Sequence, residues 1–201
     1  VLAAAYLAGS VPWSFVVARR VRHVDLREVG TGTVSGTGLY AVGGFGPLAA
    51  AGVLEVAKGA VGPLLAGRDR PVLAALAGGA AVAGHNWSPF LGGAGGRGVS
   101  PALGVFLVLD PAGTAVLLAG LVAGRAARET ALGCLVAYVA LVPVLARRRG
   151  PRGVLACAAV LGPMVAKRLA GNGPAPDRAA YLPRLLLDRD RFARAVAPGR
   201  A

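Results

Sequence analysis

Acidic residues are scarce in this chain. Nine Asp and Glu stand against 22 Lys and Arg among 201 residues, a net charge of +13. Among the candidate site residues the one acid is Glu55, so a pair of carboxylates sharing acid and base duties is excluded. Histidine and cysteine are equally thin, at two each. Cys134 and Cys157 both lie inside apolar stretches, without metal-ligand spacing and without the frame of a secreted disulfide protein. They read as small buried hydrophobes. No Ser-His-Asp set is recognisable from spacing, and no metal cluster is present in the sequence pattern. Charge of either sign is low: 15% of residues, against roughly 25% in soluble domains. With 55% hydrophobic residues and a mean hydropathy of +0.62, the chain has too little polar material to cover a soluble globule. Sustained period-2 alternation is also missing, and the apolar runs are too long for strands. A membrane class remains.

What is present is a succession of apolar segments: residues 1–18, 42–67, 72–86, 101–109, 112–124, 129–146 and 153–166. The spacing predicts an all-α, polytopic membrane bundle of about seven transmembrane helices, split between the fourth and fifth at Asp110-Pro111. Residues 1–18 lack a basic leader and read as a retained span rather than a cleaved signal. Arginines cluster at Arg19, Arg20, Arg22 and Arg27, again at Arg147, Arg148, Arg149 and Arg152, and from Lys167 down the tail. Such clusters suit anionic head groups at the ends of spans, and nucleic acid is not an expected partner. The basic loop 19–41 and the basic tail belong on the cytoplasmic side, which requires an odd number of spans. Seven satisfies that but leaves Arg147–Arg152 on the opposite side, against the charge rule. The chain thus divides into a transmembrane domain, 1–170, and a basic cytoplasmic tail, 171–201. In the tail, Leu182, Leu185, Leu186, Phe192 and Val196 recur at helical spacing, the pattern of an interfacial helix.

Three stretches carry candidate chemistry. In LEVAKGA, Glu55 and Lys58 are three residues apart, on one helix face and within pairing reach inside an apolar segment. Residues 30–38, GTGTVSGTG, offer the hydroxyls of Thr31, Thr33, Ser35 and Thr37 among glycines whose amides can converge on an anion. Residues 84–100, GHNWSPFLGGAGGRGVS, place His85 and Asn86 at the end of a span, before a glycine-rich loop around Arg97. The run Gly93–Gly98 matches G-x-G-x-x-G literally, yet follows no strand and opens no βαβ unit, so a dinucleotide site is excluded. What remains is a cradle for a phosphate from the backbone of Gly95, Gly96 and Gly98 with the Arg97 guanidinium. The set is rich in anion binders and poor in bases. It suits phosphate recognition at a membrane surface.

These residues resemble a known family. GSVP at 9–12, the Gly/Thr loop at 30–38, EVAKG at 55–59, GHNWSPFLGGAGGRGV at 84–99 and KRLAGNG at 167–173 are similar in order and spacing to the motifs of bacterial acyl-phosphate:glycerol-3-phosphate acyltransferases. The resemblance implies a seven-helix protein of the bacterial cytoplasmic (inner) membrane whose active site faces the cytoplasm. It implies transfer of a fatty acyl group from acyl-phosphate to the 1-hydroxyl of glycerol 3-phosphate, giving lysophosphatidic acid, with no cofactor. By matching position, Lys58, His85 and Ser10 are the implied catalytic residues. Thr31, Thr33, Thr37, Glu55, Asn86, Gly95, Gly96, Arg97 and Gly98 are the implied substrate-binding set, with Glu55 orienting Lys58.

The chain departs from the family pattern at several points. Thr33 and Gly38 stand where asparagines are usual, Ala41 where an arginine is, Arg97 replaces a lysine, and Val165 replaces an asparagine. A second reading follows, a non-catalytic or re-specialised paralogue that binds a phospholipid precursor. A third class, a small membrane transporter with Glu55 and Lys58 lining its path, would show internal repeats. None is clear between the two halves.

Overall fold

The computed structural model describes residues 1–29, 33–171, 173–175 and 177–188. Among these residues the protein is all-helical: α1 (Leu2–Ser10), α2 (Trp13–Arg22), α3 (Gly36–Gly43), α4 (Phe45–Ala66), α5 (Pro71–Asn86), α6 (Val99–Leu109), α7 (Pro111–Ala126), α8 (Thr130–Arg149), α9 (Pro151–Ala170) and α10 (Tyr181–Leu187), with single 3-10 turns at Pro89–Leu91 and Arg178–Ala180. Among the described residues four segments are long and apolar enough to cross a membrane, namely Leu2–Arg22, α4, α8 and α9. Counting α1 and α2 as one pass, α4 to α9 continue an up-and-down path in which consecutive passes are antiparallel.

Local chemistry sets the breaks. Pro12 breaks the helix within the first pass, because the residue before a proline is driven out of the helical region, and Val11 sits at φ −61°, ψ 117°. The uninterrupted span expected at 1–18 is therefore two helices, and the second runs on to Arg22, ending in a left-handed His23. The loop expected at 19–41 is correspondingly shorter and yields α3, whose N-terminus is capped by Ser35 Oγ accepting from the Gly38 amide at 3.4 Å. Asp110 separates α6 from α7 and caps α7 by accepting from the Ala112 amide, with Pro111 in the first turn. The arginine cluster expected as a loop at 147–152 is almost wholly helical. Gly150, at φ 56°, alone lies between α8 and α9. Of the tail pattern, α10 holds Leu182, Leu185 and Leu186, whereas Phe192 and Val196 lie outside the described residues.

Packing follows small residues. A side-chain carbon on Gly59 would run into the Pro101 carbonyl of α6, and one on Gly104 into the Val56 carbonyl of α4, so these two helices meet backbone to backbone. Polarity is inverted relative to a soluble protein. Helix α4 buries Glu55 and Lys58 while Val53, 70% exposed, and Leu64 point outward. Val139 on α8 is likewise 70% exposed. Apolar side chains outside and charges inside are the arrangement hydrocarbon favours.

The two ends of the bundle differ. Toward one end, from the depth of the middle of α4 outward, lie the α1–α2 break, the end of α5, the start of α6 and the end of α9. The opposite end carries Arg68 to Arg70, Asp110 and the α8–α9 junction, where Asp110 accepts from Arg148 Nε at 3.2 Å and Arg149 Nε at 2.8 Å. Burial works to raise the Asp110 pKa. The bonds from Arg149, the Ala112 amide and Arg148 outweigh it and hold the carboxyl below its ordinary value. Helices α5 and α6 have 16 and 11 residues, about 24 and 16 Å, against a hydrocarbon core of about 30 Å. The segment 87–98 between them therefore occupies depth that helix leaves vacant, as irregular backbone can when protein surrounds it.

Candidate active site

The break at Val11-Pro12 supplies the site's foundation. It releases the Val11 carbonyl from α1 and presents the first-turn amides of α2. Glu55 and Lys58 arrive opposite them from the middle of α4. Lys58 Nζ donates to the Val11 carbonyl at 2.6 Å and contacts Glu55 Oε2 at 2.7 Å. Glu55 Oε1 accepts from the Ser14 amide at 3.0 Å and the Ser14 hydroxyl at 3.1 Å. The carboxylate thus caps α2 from another helix, where the helix dipole favours a negative charge. From the end of α5, His85 brings Nδ1 to 3.1 Å from Glu55 Oε2. All three side chains are at least nine-tenths buried. Each buried ion costs several kcal/mol in lost hydration, so these contacts are a condition of burial.

Beside this cluster, Ser10 donates its hydroxyl to the Tyr6 carbonyl and accepts at its own carbonyl from Ser88 Oγ, each at 2.7 Å. Ser10, Glu55, Lys58, His85, Gly95 and Gly96 line one small pocket. A side-chain carbon on Gly96 would collide with His85 Nε2, and one on Gly95 with the His85 carbonyl. These two glycines let the loop lie against the imidazole, which sequence reading had assigned to anion binding. The Gly96 amide itself donates to the His85 carbonyl at 3.2 Å, so that donor of the expected cradle is already engaged.

The remaining expected residues lie elsewhere. Arg97 points to the end of α9 and the tail, where Nη1 donates to the Lys167 carbonyl at 3.1 Å and Nε sits 2.6 Å from Asp188 Oδ1. It does not line the pocket, because two protein partners hold its fork. Asn86 ties α5 to α9 by donating to the Pro163 carbonyl at 2.8 Å, and its buried Oδ1 meets no donor among the described residues. Gly98, at φ 78°, starts α6 against Val82 and Met164 rather than at the pocket. Thr33 is buried outside the pocket lining, Thr37 is exposed on α3, and Thr31 lies outside the described residues.

Sequence reading missed Ser14, Ser88 and Lys167. Lys167 is buried near the glycine loop, with Nζ 3.4 Å from the Gly93 carbonyl and 5.4 Å from the Trp87 ring centre. For Ser14 a signal existed, since Pro12 forces a helix end two residues before it. Ser88 and Lys167 lie inside the motifs at 84–99 and 167–173, but their contacts are with distant residues and no spacing announced them.

Comparison with known proteins identifies the family. A family model described as Glycerol-3-phosphate acyltransferase matches residues 1–172. The glycerol-3-phosphate acyltransferase of Roseobacter denitrificans (strain ATCC 33942 / OCh 114) is 37% identical over 83% of this chain and 84% of its own length. That of Shouchella clausii (strain KSM-K16) is 41% identical, over 52% of this chain and about half (53%) of its own length. The crystal structure of PlsY (YgiH), an integral membrane glycerol 3-phosphate acyltransferase, in its glycerol 3-phosphate form superposes with a TM-score of 0.75 at 26% identity, covering 83% of this chain and 86% of that one. With its apolar helices and buried charges, the protein is a multi-pass membrane protein, and it belongs to the glycerol-3-phosphate acyltransferase family.

Proposed function

We propose that this protein transfers a fatty acyl group from acyl-phosphate to the 1-hydroxyl of glycerol 3-phosphate, yielding lysophosphatidic acid and inorganic phosphate. The observation that carries the proposal is the buried Glu55–Lys58–His85 cluster at a broken helix. An ammonium has three N–H donors. Two of those on Lys58 are engaged, by Val11 and Glu55, and the third serves a substrate phosphate oxygen. Glu55 orients Lys58. His85, if neutral and donating from Nδ1, turns an accepting Nε2 toward Gly96 and the substrate side. The glycerol oxygen attacks the acyl carbonyl, the carbonyl–phosphate bond breaks, and the hydroxyl proton leaves with the departing phosphate. Positioning and charge neutralisation do the catalysis, without a protein base.

The site-bearing end faces the cytoplasm in this proposal, in the bacterial inner membrane. Arg19, Arg20, Arg22 and Arg27 follow the α1–α2 pass at that end, and their charge supports the orientation. Residues 1–170 form the membrane domain and 171–201 a tail outside it. The test supplies purified protein in detergent with acyl-phosphates of several chain lengths and glycerol 3-phosphate. Lysophosphatidic acid, measured by mass spectrometry, is the expected product, and Lys58→Ala abolishes it. Folded protein that yields no product at any chain length would refute the proposal.

A further inference from the structure

The end of the bundle opposite the Glu55 cluster holds a cavity of about 590 Å³, within the range of small-ligand sites. Its mouth carries Arg68, Arg148, Arg149 and Arg152 against two acids, Asp69 and Asp110. The acids are already matched: Asp110 takes Arg148 and Arg149 through their Nε atoms, and Asp69 faces Arg70 at 3.8 Å. Arg68 and Arg152 make no ion pair or side-chain hydrogen bond among the described residues, and Arg148 engages only its Nε, leaving both Nη groups available. Deeper in, Ala75, Leu109, Leu145 and Ala156 make the lining apolar. Three helices, α5, α7 and α9, begin at this same end, each with proline in its first turn. Their positive dipole ends add to the arginine field.

We propose that this cavity is a second binding site, for a phosphate-bearing anion of the phospholipid head-group class, distinct from the acyl-transfer site and independent of its chemistry. Guanidinium forks at the rim match phosphate oxygens bidentately. Leu109, Leu145 and the alanines meet the glycerol backbone and the first methylenes of the chains. Basic pockets between transmembrane helices bind anionic head groups for these reasons. The site also accounts for arginines at the end of the bundle where the charge rule expects few. Asp110 neutralises part of that charge and the bound anion the rest.

The test uses the full chain purified in neutral detergent and titrated with phosphatidylglycerol, phosphatidylcholine or inorganic phosphate, with bound species counted by native mass spectrometry. Wild type should retain phosphatidylglycerol at least tenfold more tightly than phosphatidylcholine. The variant Arg68→Ala/Arg152→Ala spares the Asp110 contacts, so its fold and acyl transfer should be unchanged, while the lipid preference disappears. The variant Arg68→Lys/Arg152→Lys should keep part of the preference, because charge survives and the fork does not. Binding of inorganic phosphate that is lost in the alanine variant, without a phosphatidylglycerol preference, would assign the site to the free anion. Equal retention of both lipids with no phosphate binding, or a preference that survives the alanine variant intact, would overturn the proposal.

Discussion

Breaking the Glu55–Lys58 pair from one side should cost far more than removing it from both. Glu55→Gln keeps the shape and lets the amide oxygen go on accepting from the Ser14 amide, now 3.0 Å from Glu55 Oε1. It removes the negative charge 2.7 Å from Lys58 Nζ, and the lysine side chain is only 4% exposed. The ammonium is then held by the Val11 carbonyl alone. Uncompensated buried charges of this kind cost about 3–5 kcal/mol, or two to three and a half powers of ten in the folding equilibrium. Lys58→Met leaves the mirror-image defect, a carboxylate with Ser14 and His85 as partners, at a similar or slightly smaller cost. The double variant Glu55→Gln/Lys58→Met has neither ion. It should recover to within about 1–2 kcal/mol of wild type, since replacing both members of a buried pair is often near neutral. The assay is equilibrium unfolding in mixed micelles of neutral detergent and dodecyl sulfate, read by tryptophan fluorescence. Acyl transfer measured on the same samples should stay absent in every variant lacking Lys58, however stable. Additive destabilisation in the double variant would show that the two residues are not an energetically coupled pair and would refute the reasoning.

Three further outcomes follow from the geometry. Gly96→Ala places a carbon against His85 Nε2 and 2.8 Å from the Val34 carbonyl, so the imidazole shifts and turnover falls about 100-fold, with folding retained by circular dichroism; normal turnover would separate His85 from the reaction. Asp188→Asn weakens the contact 2.6 Å from Arg97 Nε and leaves the guanidinium on the Lys167 carbonyl, away from the pocket, so kcat and KM for glycerol 3-phosphate should both stay near wild type; a severalfold change in KM would return Arg97 to substrate binding. Asp110 has a depressed pKa in the folded protein, so its contribution to stability is present above the ordinary value of 3.8 and is lost as pH falls through the lower folded value. Thermal melts should therefore show a stability loss below about pH 4 in wild type that is smaller in Asp110→Asn, and identical profiles would contradict that assignment.

The legible part of this protein was whatever depends on neighbours in sequence. Apolar run lengths announced the spans, Asp110-Pro111 announced the α6–α7 separation, and three-residue spacing put Glu55 and Lys58 on one face. Pro12 was visible too, but a proline in an apolar run leaves open whether the helix kinks or ends. Its consequence, a carbonyl and an amide turned toward α4, appears only when α4 is in place.

The glycine loop shows the boundary between sequence and tertiary structure. Its composition by itself determined that residues 92–98 would not be helical and could approach something closely. Whether that something was a phosphate or the protein's own imidazole was a matter of packing. Helix α5 ends with His85 facing the loop, and the bare Cα of Gly96 is what fits beside it. In the same way Arg97 had to find an anion, and the folding of the tail onto α9 decided that Asp188 was within reach. Spacing along a chain dictates which residues share a helix face, because the helix repeat is local. Which groups of opposite charge meet across 40 or 90 residues is decided by how the helices pack, since only close packing brings them inside hydrogen-bond distance and removes the water that would otherwise satisfy them.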